Sequence, residues 1–374
     1  MTTTVGLTLE PLDVLFFRDG RPFGAGTHGK SQLPLPQTLA GALWTALLEK
    51  FGCDFGELAR LVRAERASLP DAIARAGGAS WLASVRVRGP WLARPENKEH
   101  KLEVLMPVPA VLHVDKKRER ATSGTLPQLR PMRPDRLPGW QPPKSTPALW
   151  PLWVRHPQPT EPATGYLTRA GLDAFLRGDA VPSDEVIKPD ALFGFDRRTG
   201  IGINADRLSA EESLIYGANF LVLKPNVTLY AEAILPDGID SKTFAGINTV
   251  AFGGEGRRVR LTVLNQPYSW PDHTPTEHRQ KPLVLLTTPA LFDRRWQPAS
   301  LAGRLVAAAV PGAVAVSGWD LARGGPKPNR FAVMAGSTYF LDLPLNPWPE
   351  TLSDSDPDQQ QGWGCFIKGV WTEG

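Results

Sequence analysis

Residues 11–51 read PLDVLFFRDGRPFGAGTHGKSQLPLPQTLAGALWTALLEKF, and their order predicts a strand, a glycine- and charge-rich loop, a proline-punctuated connector and a helix. Inside them, Gly24-x-x-x-x-Gly29-Lys30-Ser31 matches the phosphate-loop pattern literally. A phosphate loop works because a helix opens at its Lys-Ser pair and aims backbone N–H groups at the phosphates. Here Lys30-Ser31 runs into Gln-Leu-Pro-Leu-Pro, and each proline biases the residue before it, Leu33 or Leu35, towards extended backbone. Proline suits the first turn of a helix, so the spacing predicts a helix from Pro36 to Lys50 with Lys30 and Ser31 in its approach loop. Leu39, Leu43, Ala46 and Leu47 form a stripe on that helix that can cover one face of a sheet. The match is therefore read as a loop, with an NTPase using residues 24–31 kept as an alternative.

Working outward, Val5, Leu7 and Leu9 alternate with Gly6 and Thr8, the period of a strand. Helices are expected at Phe55–Ala64, Thr168–Arg177 and Ser300–Val310. Extended segments are expected at 81–87, 102–114, 219–235 (broken at Lys224-Pro-Asn), 259–264, 281–288, 314–319, 330–335 and 338–343. The run Phe193 to Asn204 reads as two glycine turns carrying phenylalanines and arginines, and Gly362 to Val370 as a turn feeding a strand. Single helices scattered among many strands favour an α+β class over a doubly wound sheet. The pattern suggests two units, 1–209 and 210–374, each a β-α-β-β-α-β arrangement.

The 374 residues suffice for two domains, and 42% hydrophobic with 21% charged residues describes a folded chain. Its 37 prolines and 35 glycines imply many turns and long connections. The formal charge is only +4, but its distribution is uneven. Residues 116–144 hold eight bases and two acids, a net +6, in a stretch with no sustained period. Such a segment either meets phosphate or forms a solvated surface insertion. Lys116, Lys117, Arg118 and Arg120 lead it. Two distant cysteines, Cys53 and Cys365, make neither a disulfide framework nor a zinc site. No signal-like head or long apolar run is present, so a cytoplasmic location without membrane insertion is expected.

The search for catalytic chemistry is mostly negative. None of the six histidines has a zincin spacing, and His273 and His278 fall in a proline-flanked loop. There is no Gly-x-Ser-x-Gly, no paired-cysteine motif and no paired-carboxylate set. His28 lies in a glycine loop without an identifiable acid partner. Gly253, Gly254 and Gly256, beside Arg257 and Arg258, fit a turn whose N–H groups can bind an anion; they equally fit a strained structural turn.

Taken as an ordered set, several stretches resemble one family. They are Asp13 to Phe23 (DVLFFRDGRPF), Pro36 to Leu43 (PQTLAGAL), Ala251 to Arg258 (AFGGEGRR), Arg330 to Tyr339 (RFAVMAGSTY) and Gly362-Trp-Gly. The family is the crRNA-tag-binding subunit of the type III-B CRISPR effector, in the repeat-associated mysterious protein superfamily. The resemblance implies two ferredoxin-like, RNA-recognition-motif-like domains with long inserted loops and hairpins. It implies a noncatalytic subunit that holds the 5′ tag of crRNA, and the motif pattern above gives no expectation of a cofactor or metal. The implied protein partners are the large polymerase/cyclase-like subunit and the helical backbone subunit. Carried over, Arg18, Asp19, Arg21 and Phe23 fall in the first loop of the family, and Gly253, Gly254, Gly256 and Arg257 in the second. His28, Lys30 and Arg258 are further candidate RNA contacts. A metal-independent endoribonuclease that processes repeat RNA remains the other alternative.

Overall fold

A computed structural model describes residues 2–17, 28–29, 32–95, 102–116, 124–141, 149–203, 210–320 and 324–373. Arg18, Asp19, Arg21, Phe23, Lys30, Lys117, Arg118 and Arg120 lie outside the described residues, as does the side chain of His28.

In chain order the elements are β1 (Thr3–Pro11), β2 (His28–Gly29), α1 (Pro36–Lys50), α2 (Phe55–Ala64), α3 (Leu69–Arg75), β3 (Arg86–Pro95), β4 (Leu102–Pro107), β5 (His113–Asp115), β6 (Arg130–Pro131), β7 (Leu152–Trp153), β8 (Thr160–Pro162) and β9 (Tyr166–Leu167). There follow α4 (Arg169–Leu176), β10 (Val186–Ile187), β11 (Phe193–Ile203), β12 (Ala210–Leu223), β13 (Thr228–Leu235), β14 (Thr249–Ala251), β15 (Arg258–Val263) and β16 (Gln280–Leu286). The chain ends with β17 (Leu305–Ala309), β18 (Ala313–Val316), β19 (Trp319–Asp320), β20 (Gly325–Pro326), β21 (Arg330–Val333), β22 (Thr338–Leu341), α5 (Asp356–Gln360) and β23 (Phe366–Thr372). This is a mixed α and β architecture with mostly antiparallel pairing, while β2 runs parallel to β12 at His28↔Gly217.

Two compact units form, and both are discontinuous: 1–90 with 192–267 and 315–331, and 91–191 with 268–314 and 332–374. The division expected at 209/210 is not the one seen. The reason is pairing: β1 takes β13 on one side (Leu7↔Ala231) and β15 on the other (Leu9↔Leu261). A cut at 210 would strip the first strand of both neighbours.

In the first unit, β13, β1, β15 and β14 lie side by side. The alternation seen in the sequence puts Val5, Leu7 and Leu9 in the core, as Val259 and Leu261 do from β15. Helix α1 begins at Pro36, after Leu35 in extended geometry, and buries Leu39, Ala40, Leu43 and Leu47. The start at Pro36 is the one the prolines predicted. The ladder of β11 and β12 runs from Phe193↔Leu223 to Ile203↔Ala210 with a bulge near its tip. It replaces the two turns expected at 193–204. Gly194 and Gly200 sit within the ladder opposite Val222 and Tyr216, so long-range pairing overrides their turn preference.

In the second unit, β17, β22, β16 and β23 form an antiparallel sheet over a core of Val284, Leu286, Leu301, Val333, Tyr339 and Leu341. The helix expected at 300–310 is a short turn followed by β17. The alanine-rich run favours a helix by propensity, yet Ala307–Ala309 pair with Phe340–Thr338 of β22. Helix α4 appears where expected, capped by Thr168 Oγ1 accepting from Gly171 N–H at 3.2 Å. Glycine is required at 369 of β23 because a Cβ there would lie 2.8 Å from the Leu176 carbonyl at the end of α4.

Candidate nucleic-acid interface

The first unit contains an open groove of about 980 Å³. Its long wall is the outward face of α1: Thr38, Gly41, Ala42, Thr45, Ala46 and Glu49. This face borders the stripe of Leu39, Leu43 and Leu47, so one helix both seals the core and walls the groove; Ala46, expected in that stripe, lines the groove instead. Gly41 is exposed, and a Cβ built there meets nothing within 4 Å. The other walls are Phe16 and Phe17, Thr249 to Ala251 of β14, the glycines 253–254 with Arg258, and Ser317, Gly318, Pro326, Lys327 and Asn329.

Both ends of α1 are tied down. Gln37 Nε2 donates to the Ser317 carbonyl at 2.6 Å. At the other end Lys50 Nζ donates to the carbonyls of Thr243 at 2.8 Å and Ala245 at 2.5 Å. A lysine in the last turn also suits the negative end of the helix dipole. The groove width is thus fixed by side-chain to backbone contacts distant in sequence.

The second glycine loop is built around Phe16. Gly254 N–H donates to the Phe16 carbonyl at 2.8 Å, and Phe252 N–H to the Arg257 carbonyl at 2.8 Å. At Gly253 φ is +87°, and a Cβ would fall 2.5 Å from the Phe16 carbonyl and 2.8 Å from the Phe17 ring. The close backbone approach that these glycines permit is therefore made by residues 16 and 17. Gly256, at φ +65°, turns in open space, and Glu255 also takes a positive φ of 58°.

The two arginines of this loop differ. Arg257 Nη1 donates to Asp13 Oδ2 at 2.6 Å, and its guanidinium lies 4.9 Å from the centre of the Phe220 ring. Its Nε is buried without a hydrogen-bond partner among the described residues. Arg198 of β11 approaches the same ring, also at 4.9 Å, while donating to Asp196 at 2.8 Å. Phe220 in turn packs on Phe16 at 5.2 Å. Arg258 donates to Thr249 Oγ1 at 3.0 Å and lines the groove, so it is the loop arginine placed on the cavity.

Of the expected residues, the structure gathers Gly253, Gly254 and Arg258 on the groove, with Arg257 beside them holding Asp13. Phe17 and Gln32, the described residues nearest each end of the first loop, both line the same groove. Lys116 is exposed at the end of β5 in the second unit. The sequence reading missed Gln37, Lys327, Asn329 and the α1 face. The signal for that face was present as small residues at 38, 41, 42, 45 and 46, at helical spacing beside the leucines.

Elsewhere the histidines expected in a polar loop are partly engaged: His273 Nε2 lies 2.8 Å from Asp173 Oδ1 in the second unit. Among the described residues no group of three His, Cys, Asp or Glu side chains can hold a metal ion. No described helix is long and apolar enough to cross a membrane.

Comparison with known proteins assigns the class first: a CRISPR-associated protein. The family model described as CRISPR-associated protein (Cas_Cmr3) matches residues 7–371, and the chain belongs to that family. Solved structures similar to it include a chain of the type III-B Cmr-beta bound to cognate target RNA (16% identity, 90% of this chain and 86% of that one, TM-score 0.48). A second is from the same assembly with target RNA and AMPPnP (18% identity, the same coverage, TM-score 0.48). No curated protein matches the chain at a significant level.

Proposed function

We propose that the chain is a noncatalytic RNA-holding subunit of a type III-B CRISPR effector, with two ferredoxin-like halves, and that the groove along α1 seats the 5′ tag of crRNA. In this reading it also joins the large polymerase/cyclase-like subunit to the helical backbone of the complex. Family membership supports the assembly. The observation that carries the RNA role is the groove itself. Its lining offers amide and hydroxyl groups from Gln32, Gln37, Thr38, Thr45 and Asn329, and two phenylalanines, with Arg258 and Lys327 as cations against Glu49.

Such a lining suits single-stranded RNA, whose base edges and 2′-hydroxyls are accessible to short polar side chains. Two cations are too few to hold a duplex backbone, so recognition rests on edges and sugars, with phosphate contacts fixing position. The test is to purify the complex assembled with this chain, sequence the RNA it retains, and compare binding of tagged and scrambled guides at one salt concentration. Equal binding of both would sink the tag assignment. Defined cleavage products from precursor crRNA incubated with the pure chain would sink the noncatalytic one.

A further inference from the structure

The second unit presents a different surface with its own chemistry. Strands β6 and β7 form a short antiparallel ribbon in which Arg130 lies directly opposite Trp153. Residues so paired project from the same face, with Cβ atoms about 5 Å apart. Trp153 is 52% exposed, and it is the only tryptophan among the described residues that stands so far out of the fold. The pattern continues for two residues: Leu152 and Val154 are half-buried, while Trp153 and Arg155 are exposed. Arg130, Trp153 and Arg155 thus share the outer face. Neither arginine has an ion-pair partner among the described residues, whereas nearby Arg133 is held by Asp135 at 3.3 Å and Glu373 at 3.9 Å.

The ribbon is firmly supported. Trp150 N–H donates to the Val306 carbonyl at 2.8 Å, and Met132 N–H to the Pro151 carbonyl at 2.9 Å. The ring of Trp150 meets Trp371 edge-on at 6.4 Å. The exposed indole therefore projects from a fixed backbone.

We propose that Arg130, Trp153 and Arg155 form a platform for single-stranded RNA, in addition to the groove of the first unit. One base stacks on the indole, and the guanidiniums meet the phosphates on either side. Sequence-tolerant single-strand binders combine stacking aromatics with unpaired cations in this way. Tryptophan and arginine are enriched at protein interfaces as well; what favours RNA is that two guanidiniums without ion-pair partners flank one indole with no exposed apolar neighbour among the described residues. Here Pro131 is buried, Leu152 and Val154 are half-buried, and the exposed neighbours are arginines. The net +6 of residues 116–144 adds long-range attraction for a polyanion.

The test uses the full chain and a fluorescein-labelled oligouridine of about 15 nucleotides, a length covering one stacking platform with its flanks. Trp153→Ala should lower affinity roughly ten-fold or more, while Trp153→Phe retains most of it. Arg130→Gln with Arg155→Gln should reduce the slope of log affinity against log salt by about 0.7 for each contact. The Trp153→Ala loss should persist when Arg258 and Lys327 of the groove are both changed to glutamine. That arm separates the platform from the tag-holding reading, which can fail without it. Unfolding temperatures of all variants are compared with the unmodified chain. Unchanged affinity in Trp153→Ala together with an unchanged salt slope in the double arginine variant overturns the proposal. Loss of a protein subunit from the assembled complex, with RNA affinity intact, overturns it equally and assigns the surface to a protein.

Discussion

Arg257 donates from Nη1 to Asp13 Oδ2 at 2.6 Å, joining the glycine loop before β15 to the segment that leaves β1. The pair is partly exposed, 22% for the arginine side chain and 61% for the aspartate. An arginine expected to reach phosphate is here held by a carboxylate and laid over Phe220. Its neighbour Arg258 faces the cavity instead. The adjacent arginines thus divide the work: one orders the loop and the other meets the solvent of the groove.

Acid should weaken the tie between Asp13 and Arg257. The carboxyl of Asp13 is held below the usual range, chiefly by the hydrogen bond from Val14 N–H and then by the charges of Arg257 and Arg198, against a desolvation penalty. A carboxyl depressed in the folded state stabilises above its unfolded pKa of about 3.9 and loses that contribution as pH falls through the folded value. Asp13→Asn should therefore be less stable than the unmodified chain at pH 7. The difference should shrink below about pH 4. Thermal unfolding of both proteins from neutral to acid pH measures it. A gap that widened in acid would contradict the assignment.

The glycines of the loop should rank by what surrounds them. Gly253→Ala must tolerate both a positive φ of 87° and a Cβ 2.5 Å from a carbonyl, and should cost about 3 kcal/mol or more. Gly256→Ala faces only its φ of +65° in open space, about 1–2 kcal/mol. Gly254→Ala meets one edge of the Phe16 ring at 3.1 Å, which a small ring movement relieves. Urea unfolding of the three variants gives the order. If Gly253→Ala were the mildest, the contact with Phe16 would not be what fixes this loop.

Salt dependence separates the groove cations. Arg258→Gln and Lys327→Gln should each flatten the dependence of log affinity on log salt by about 0.7 for single-stranded RNA. Arg257→Gln, whose guanidinium is occupied by Asp13, should act on stability more than on that slope. Titrations of the assembled complex at three salt concentrations check both.

The helix of the groove could be read closely from sequence because its signals are local. Pro36 sets its start and the 3-4 spacing of Leu39, Leu43 and Leu47 sets its buried face. The glycine loop could be located for the same reason, but its neighbour could not. Phe16 and Gly254 meet although they stand 238 positions apart in the chain, and nothing local marks that contact. The misread helix at 300–310 and the misread turns at 193–204 fail alike: β17 and β11 owe their form to partners that a window of one segment does not contain. The domain cut failed for that reason too, since β1 is completed by β13 and β15.

Gly41 offers the sharpest test of the groove, because there folding and binding make opposite demands. It lies inside α1, where glycine is less favourable than alanine by about 1 kcal/mol. It faces the groove, and an added Cβ meets nothing within 4 Å. Gly41→Ala should therefore raise stability by about 0.5–1 kcal/mol. Gly41→Leu should keep most of that gain while projecting a side chain into the space assigned to RNA. If the groove seats the tag, the leucine variant is as stable as the parent in urea unfolding, enters the complex, and binds tagged guide at least ten-fold more weakly, roughly the 1.4 kcal/mol that one obstructed contact represents. Binding at parental affinity with the leucine in place would remove the tag from this groove, and no loss of folding could be invoked to explain it.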